Sequence, residues 1–385
     1  MNVDRDCSTV MHLAPGFQAD HMRIYHKECI SLAEAGYLVE LVAHVAAGQH
    51  LDARIKFHSL GDCGKLTIAW RLFDRVRRCQ HAYTFARHSR ATLYQYYAPE
   101  FIMWGKRLCR VSTRPVVFDC MEDYEGYALQ RRGIPDYLRR PLAAFVRRQL
   151  RLAAQSCDAV IVADEGTARL LRPYARRVVL LHNFPNLPLF PDPGTMAVEK
   201  IYDVIYHGSL PRYHLDAFLA IDAALARRGY FVRWRLIGHI PEREWFTREL
   251  TRRGIQGRFS LGGYIPHNQV AWEVSKARIG IIPLPGLPKF YNNIPQKLFE
   301  FMALKMPVVL SDLPPSRPFV GDGACAVMVP PDDYEAYADA IITLLGNMAL
   351  RQQMGIEGRR RVEQEYNWGR ESQKLIDLYK ELVSS

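Results

Sequence analysis

Lys297 and Glu300 are the residues whose spacing most clearly suggests chemistry. They lie in the run Tyr291-Asn292-Asn293-Ile294-Pro295-Gln296-Lys297-Leu298-Phe299-Glu300-Phe301-Met302-Ala303. Asn292 or Asn293 ahead of Pro295 is a helix-start signal. Lys297 then falls in the first turn, where the helix dipole is already positive and a cation is disfavoured. Free backbone amides beside that lysine make sense where a phosphate docks. Glu300 follows three residues later, on roughly the same face. Its carboxylate can accept hydrogen bonds from vicinal hydroxyls such as those of a ribose. The pair suits a nucleoside diphosphate, with phosphate at Lys297 and ribose at Glu300. A plain Lys297–Glu300 surface pair explains the same residues without a ligand.

The elements that must position this run come from alternating short apolar runs and helical patterns. In the first half, Ser8–Leu13, Tyr37–His44, Pro115–Asp119, Asp158–Asp164 and Arg177–Leu181 read as strands. Met22, Tyr25, Cys29 and Leu32 recur at helical spacing until Gly36, and Tyr137–Gln155 is a second helix. In the second half the strands are Tyr202–His207, Phe231–Ile237, Arg258–Leu261, Arg278–Pro283 and Pro307–Ser311. Helices Leu215–Arg228, Glu242–Arg253, Asn268–Ser275 and Pro295–Leu304 separate them, and the chain from Asp333 onward is mostly helical. Between the halves, residues 183–200 hold Pro185, Pro188, Pro191, Pro193 and Gly194, a linker composition. Alternation of this kind predicts an α/β protein of two doubly wound, parallel-sheet domains. Ligands of such folds sit at the carboxyl ends of the strands, and a cleft between the domains is the default site.

Composition narrows the classes. With 385 residues, 49% apolar and 24% charged, the chain is globular and long enough for about two domains. No apolar run reaches the ~18 residues of a membrane-spanning helix. The charged start, Met1 to Asp6, lacks a signal-peptide core, so a cytoplasmic location is expected. Eight cysteines without a C-x-x-C pair predict reduced, mostly buried thiols. Asp4-Arg5-Asp6 precedes the first strand and is a poor place for a metal, so no metal site is expected.

The net charge of +11 is uneven: residues 1–190 carry +9 and residues 191–385 carry +2. Arg71, Arg75, Arg77 and Arg78 stand among Trp70, Leu72, Phe73 and Val76. Arg131, Arg132, Arg139, Arg140, Arg147, Arg148 and Arg151 form a second cluster. A solvated helix surface and an anionic membrane face both fit these clusters. Nucleic acid fits less well, because the usual binding motifs are absent; no nucleic-acid partner is expected.

The 291–303 run resembles the donor motif of the family 4 glycosyltransferases, in which a Glu and a second Glu are separated by seven residues and P-x-K-L-x-E closes the motif. Pro295-Gln296-Lys297-Leu298-Phe299-Glu300 matches that close, and Pro307-Val308-Val309-Leu310-Ser311-Asp312 continues it. The resemblance extends along the chain. Asp20-His21-Met22-Arg23-Ile24-Tyr25-His26-Lys27-Glu28 with Leu32-Ala33-Glu34-Ala35-Gly36-Tyr37 is similar to the first helix of capsule- and exopolysaccharide-building members. Phe118-Asp119-Cys120-Met121-Glu122-Asp123-Tyr124 is similar to their interdomain loop, and Tyr366-Asn367-Trp368 to their closing helix.

The resemblance implies a GT-B fold of two Rossmann-like domains. Its parts are an acceptor domain over residues 1–185, a linker over 186–200, a donor domain over 201–365 and a helix over 366–385 returning to the first domain. It implies retaining, metal-independent transfer from a UDP- or GDP-linked sugar to a saccharide hydroxyl, and no cofactor. The acceptor is expected to be lipid-linked, with peripheral contact at the inner face of an anionic membrane. The donor residues carried over are Gly208, Ser209, Arg212, Gly263, Tyr264, Ile265, Asn292, Asn293, Lys297, Leu298 and Glu300. Gly16 and Arg23 fall on the acceptor side, and Glu122, Asp123 and His21 are the catalytic candidates. Two positions depart from the pattern. Asn292 stands where the first Glu falls, and Met121 where relatives often have a His; Met cannot donate a hydrogen bond or exchange a proton. His21 could replace that His in part, and Glu122 or Asp123 could serve as general base or simply as a helix cap. The rivals are a sugar-nucleotide epimerase or hydrolase on the same scaffold and a non-enzymatic basic membrane-binding protein.

Overall fold

Short runs of Val, Ile, Leu and aromatic residues, too short for helices, form strands buried on both faces. The computed structural model describes residues 8–45, 51–61, 68–130 and 133–384. Asp4-Arg5-Asp6, Cys7, Cys63, Arg131 and Arg132 lie outside them, and so do the side chains of residues 68–72, Arg71 included. The chain divides into two units, residues 1–183 with 370–385, and residues 184–369.

The first unit is built on seven parallel strands: β1 (Thr9–Gln18), β2 (Leu38–His44), β3 (Ile55–Ser59), β4 (Leu93–Tyr97), β5 (Val116–Cys120), β6 (Ala159–Val162) and β7 (Val178–Leu180). Their order is β3-β2-β1-β4-β5-β6-β7, so the winding reverses between β1 and β4. Two of these strands escape the sequence reading. β3 is a half-exposed edge strand. β4, Leu-Tyr-Gln-Tyr-Tyr, is fully buried but aromatic rather than aliphatic, with Gln95 at its centre. The helix expected from Met22 begins instead with a π-helical stretch, Ile24–Cys29, followed by the α-helical Ile30–Glu34. That wider winding points Lys27, Glu28 and Cys29 inward in succession. The helix Trp368–Ser384 belongs mainly to this unit, with Leu375, Leu378 and Tyr379 buried. The six described cysteines are free thiols. No helix among the described residues is long and apolar enough to cross a membrane.

The second unit has six parallel strands: β8 (Tyr202–His207), β9 (Trp234–Ile237), β10 (Phe259–Leu261), β11 (Ala277–Ile282), β12 (Val308–Ser311) and β13 (Ala326–Val329). Their order is β10-β9-β8-β11-β12-β13, with the reversal between β8 and β11. The proline-rich segment before β8 is not a free tether. Phe184 and Phe190 are buried in this unit's core, Arg359 Nη1 donates to the Phe190 carbonyl at 2.7 Å, and Lys305 pairs with Asp192 at 2.6 Å. Proline restrains the backbone without preventing the intervening aromatics from packing.

The helix Lys297–Ala303 is held almost entirely by burial. Leu298, Phe299, Phe301, Met302 and Ala303 are each 2% exposed or less. Side chains of the larger kinds contribute roughly 1.5–3 kcal/mol each when fully buried. Gly280 on β11 makes the approach possible: a Cβ there would stand 2.7 Å from the Phe301 ring. The glycine therefore fixes how closely the helix carrying Lys297 and Glu300 lies on the sheet.

Candidate functional site

At the carboxyl end of β8 the chain turns through Gly208, whose φ of +114° favours glycine. A Cβ on Gly208 would lie 3.4 Å from Lys297 Cε and 3.5 Å from Nζ, so the lysine stem runs along this turn. The next loop crosses even closer. Gly238, at φ +130° after β9, would place a Cβ 2.0 Å from the Gly208 carbonyl oxygen. Backbone bonds lock the crossing: Gly208 N–H donates to Ile237 at 2.9 Å, and Gly238 N–H to Gly263 at 3.1 Å. The result is a tight backbone crossing beside the β8/β11 reversal, the place where ligands of doubly wound sheets bind.

Lys297 and Glu300 stand beside this crossing, against Gly208 and His207 respectively. Lys297 Nζ stands 4.8 Å above the Tyr206 ring centroid. Burial lowers its pKa to about 8, against the opposing pull of Glu300. Glu300 is 5% exposed, and its Oε2 lies 3.3 Å from His207 Nε2. Burial, with Lys297 and His267 adding repulsion, pushes the His207 pKa down to about 3, so the ring is neutral beside the carboxylate. The site thus offers one cation, one carboxylate and a glycine turn, without a second fixed positive charge at β8 itself.

Several carried-over residues are placed differently from expectation. Neither Asn292 nor Asn293 caps the helix: its N-cap is Gln296, in helical conformation and without a side-chain cap. Leu298 is a core residue, and its amide already donates to Pro295 at 3.0 Å. Arg212 Nε donates to Asp216 at 3.0 and 3.1 Å and Nη1 to Glu242 at 3.0 Å, while the guanidinium covers the Trp245 ring. Its guanidinium is thus shared between two carboxylates. The Ser209 carbonyl accepts from Tyr206 Oη at 3.0 Å. Gly263 contributes its carbonyl to the loop crossing, Tyr264 is 81% exposed, and Ile265 packs on the core. Asn293 Oδ1 is buried without a hydrogen-bond donor.

In the first unit, Arg23 is the main correction. It was expected to face an acceptor, yet it is 2% exposed and bonded to Asp119 and the Leu181 carbonyl. Gly16 lies against the Glu100 carboxylate, 2.6 Å from where its Cβ would be. His21 Nδ1 accepts from the Ile24 amide at 3.4 Å. Burial, then Arg23, lowers the His21 pKa to about 4. Asp123 caps the helix Tyr124–Leu129 by accepting from Gly126 N–H at 2.9 Å, while Glu122 is exposed. Among the described residues, no group of three or more His, Cys, Asp or Glu could hold a metal ion.

Sequence reasoning missed Tyr206 and Gly238, and named His207 only as the residue before the glycine turn. The run Ile237-Gly238-His239 is, like His207-Gly208-Ser209, a glycine directly after an apolar strand, a signal that could have pointed to Gly238.

Residues 202–347 match the family model described as glycosyl transferases group 1. The chain is 25% identical over 249 residues to the alpha-D-kanosaminyltransferase of Streptomyces kanamyceticus, covering 64% of this chain and 58% of that protein. The match thus spans less than two thirds of that relative's length. Among solved structures, sucrose-phosphate synthase from Thermosynechococcus elongatus superposes with a TM-score of 0.77 at 16% identity, over 98% of this chain and 99% of that one. HepE from Anabaena, solved with UDP and glucose, superposes with a TM-score of 0.69 at 12% identity, over 97% of this chain and 100% of that one. Residues 202–347 of the second unit are thus similar to the group 1 glycosyl transferases, in a chain whose fold is GT-B.

Proposed function

We propose that the protein transfers a sugar from a UDP- or GDP-linked donor to a hydroxyl of a saccharide, with retention and without a metal. One observation carries this reading: Gly208 meets Lys297, and its neighbour His207 meets Glu300, from a distant stretch of the chain at the β8/β11 reversal. Gly208 lets the backbone approach a diphosphate, Lys297 offsets its charge, and Glu300 accepts from the ribose hydroxyls. In the transfer, the bond from the anomeric carbon to the diphosphate breaks and a bond to the acceptor oxygen forms. The acceptor proton passes to the departing phosphate, so no strong protein base is required. That suits a chain whose Asp123 is spent on a helix cap. HepE, of the same fold, was solved with UDP and glucose, which supports a uridine donor as the first trial.

A thermal-shift panel of UDP, GDP, ADP and TDP with their sugars tests the reading. One nucleotide at a hundred times its Kd adds about 2.7 kcal/mol, a rise of roughly 3 °C for a chain of this size. If none raises the Tm at millimolar concentration, the donor reading fails. Rapid isomerisation of the matching sugar nucleotide without acceptor would replace transfer by epimerisation.

We further propose that the acceptor is lipid-linked and that the first unit rests on an anionic membrane. Helices Ile68–His88, Ile102–Val111 and Asp136–Ser156 pack side by side. Met103, Val111, Tyr137 and Phe145 are each more than half exposed on them, with Arg107, Arg110, Arg140 and Arg148 also exposed. The only acidic residues of the three helices are Asp74 and Asp136. Exposed aromatics among unbalanced arginines suit a headgroup layer. Flotation with vesicles rich in phosphatidylglycerol should recover the protein at low salt and release it at high salt. Absence of the protein from the low-salt float would remove the membrane claim.

A further inference from the structure

We infer that the first unit holds a ligand site of its own, for a phosphate-bearing anion, in a groove at the amino-terminal end of its sheet. This goes beyond sugar transfer and does not depend on it. The groove has a volume of about 490 Å³, within the roughly 300–1,000 Å³ usual for small-ligand sites. Three arginines line it, together with Tyr94, Leu108 and Val111. Arg87 comes from the last turn of the helix Ile68–His88, Arg90 from the loop before β4 and Arg114 from the loop before β5. These strands are parallel neighbours, and the Tyr94 amide donates to the Pro115 carbonyl at 3.0 Å, so the two loops lie side by side. Both loops stand at the strand starts. Glu122 and Asp123 follow β5 at its other end, so an anion in the groove is held away from the carboxyl ends where transfer is expected.

The charge in the groove is not balanced by the protein. No acidic residue lines it. Among the described residues, Arg87, Arg90 and Arg114 pair with no carboxylate. Other exposed arginines of this unit do pair: Arg54 with Asp52, Arg172 with Glu165 and Arg176 with Asp158. Glu40 lines a second cavity that shares Arg90, but it is already bonded to Lys56 Nζ at 3.0 Å and to His58 Nε2 at 2.7 Å. A helix carboxyl end accounts for Arg87 in part, because it favours a cation. Arg90 and Arg114 lie beyond the helices and have no such reason. The helix ends at His88 and Val111 supply about half a negative charge each, so three guanidiniums leave about two positive charges. That surplus suits a phosphate monoester or a diphosphate, whose oxygens also match guanidinium forks in pairs. Soluble diphosphates and phosphatidic acid headgroups share this chemistry.

Modification of arginine by phenylglyoxal, mapped by peptide mass spectrometry, tests the site. Pyrophosphate at ten times its Kd should slow modification of Arg87, Arg90 and Arg114 about tenfold. Arg75, exposed on the same helix but outside the groove, should react as before. Vesicles of phosphatidic acid in phosphatidylcholine form the second arm. Selective protection by pyrophosphate alone assigns a soluble ligand, and stronger selective protection by the vesicles assigns a headgroup; both support the site. Arg90→Gln and Arg114→Gln should each weaken binding of the protecting ligand about tenfold, as loss of a charge-assisted contact does. Unchanged Tm shows that they fold. Lys297→Ala, in the other unit, should keep the protection. The site is overturned if neither arm protects these arginines more than Arg75, if the double variant Arg90→Gln/Arg114→Gln binds like wild type, or if Lys297→Ala abolishes the protection.

Discussion

Lys297→Ala lowers kcat/KM for the sugar nucleotide by about 10²–10³, the usual loss when a preorganised charge facing a leaving group is removed. The helix itself should survive, since its neighbours Leu298, Phe299, Phe301 and Met302 hold it and Lys297 contributes its stem to the Gly208 turn. The pH dependence gives the sharper signature. Burial holds the Lys297 pKa at about 8 in the free protein. A bound diphosphate favours the ammonium form and raises that pKa, so binding takes up a proton wherever the free lysine is partly neutral. Affinity should therefore be full below about pH 8 and fall as pH rises through that value, at up to tenfold per unit. Lys297→Arg, which stays charged throughout, should flatten this fall even if its affinity is lower. Calorimetric titration in two buffers of different ionisation enthalpy measures the proton uptake directly. A wild-type affinity flat from pH 7 to 9 would mean that Lys297 does not touch the diphosphate.

The parallel α/β architecture was legible because most of its strands are aliphatic runs flanked by helical patterns. Where strands broke that habit they went unread. β4 places Gln95 amid tyrosines, and β13, Ala-Val-Met-Val, is only four residues long. The site was legible where one local run held the chemistry, as at Lys297 and Glu300. It was not legible where residue type said one thing and environment another. Arg212 follows the glycine turn at a plausible distance, but Asp216, one helical turn on, and Glu242, thirty residues away in sequence, decide where its charge goes. Proline content marked residues 183–200 as a linker, but the buried side chains of Phe184 and Phe190 make that segment part of a core. Pairwise contacts of this kind leave no periodic trace in a single chain.

Arg23 was the most misleading residue, and its environment yields the largest expected stability effect. Its Nε and Nη2 reach Asp119 Oδ2 at 3.3 and 3.2 Å, and Nε lies 2.9 Å from Glu28 Oε1. Both carboxyls are fully buried. Glu28 Oε2 accepts from Tyr97 Oη at 2.7 Å and from Gln95 Nε2 at 2.8 Å, and Gln95 Oε1 accepts from Tyr379 Oη at 2.6 Å. Burial raises the pKa of Glu28 well above the usual range, and the charge of Asp119 raises it further; the opposing pull of Arg23 is smaller. Burial likewise raises that of Asp119, against the pull of Arg23. One proton held by the Glu28–Asp119 pair leaves a single negative charge for a single guanidinium, which is how such a group can exist without water. Arg23→Met keeps the volume but removes the only cation of the trio. It should cost about 3–5 kcal/mol at neutral pH, because an uncompensated carboxylate is left in the sheet. Both carboxyls bind protons more tightly folded than unfolded, so the stability tied to their protonation is present at low pH and lost as pH rises. Without Arg23 that loss becomes steeper. Urea denaturation should therefore find Arg23→Met close to wild type at pH 5 and far below it at pH 7.5, with Glu28→Gln in the same background restoring part of the difference. An equal deficit at both pH values would show that Arg23 acts by packing, through its stem and the Leu181 carbonyl, rather than by charge.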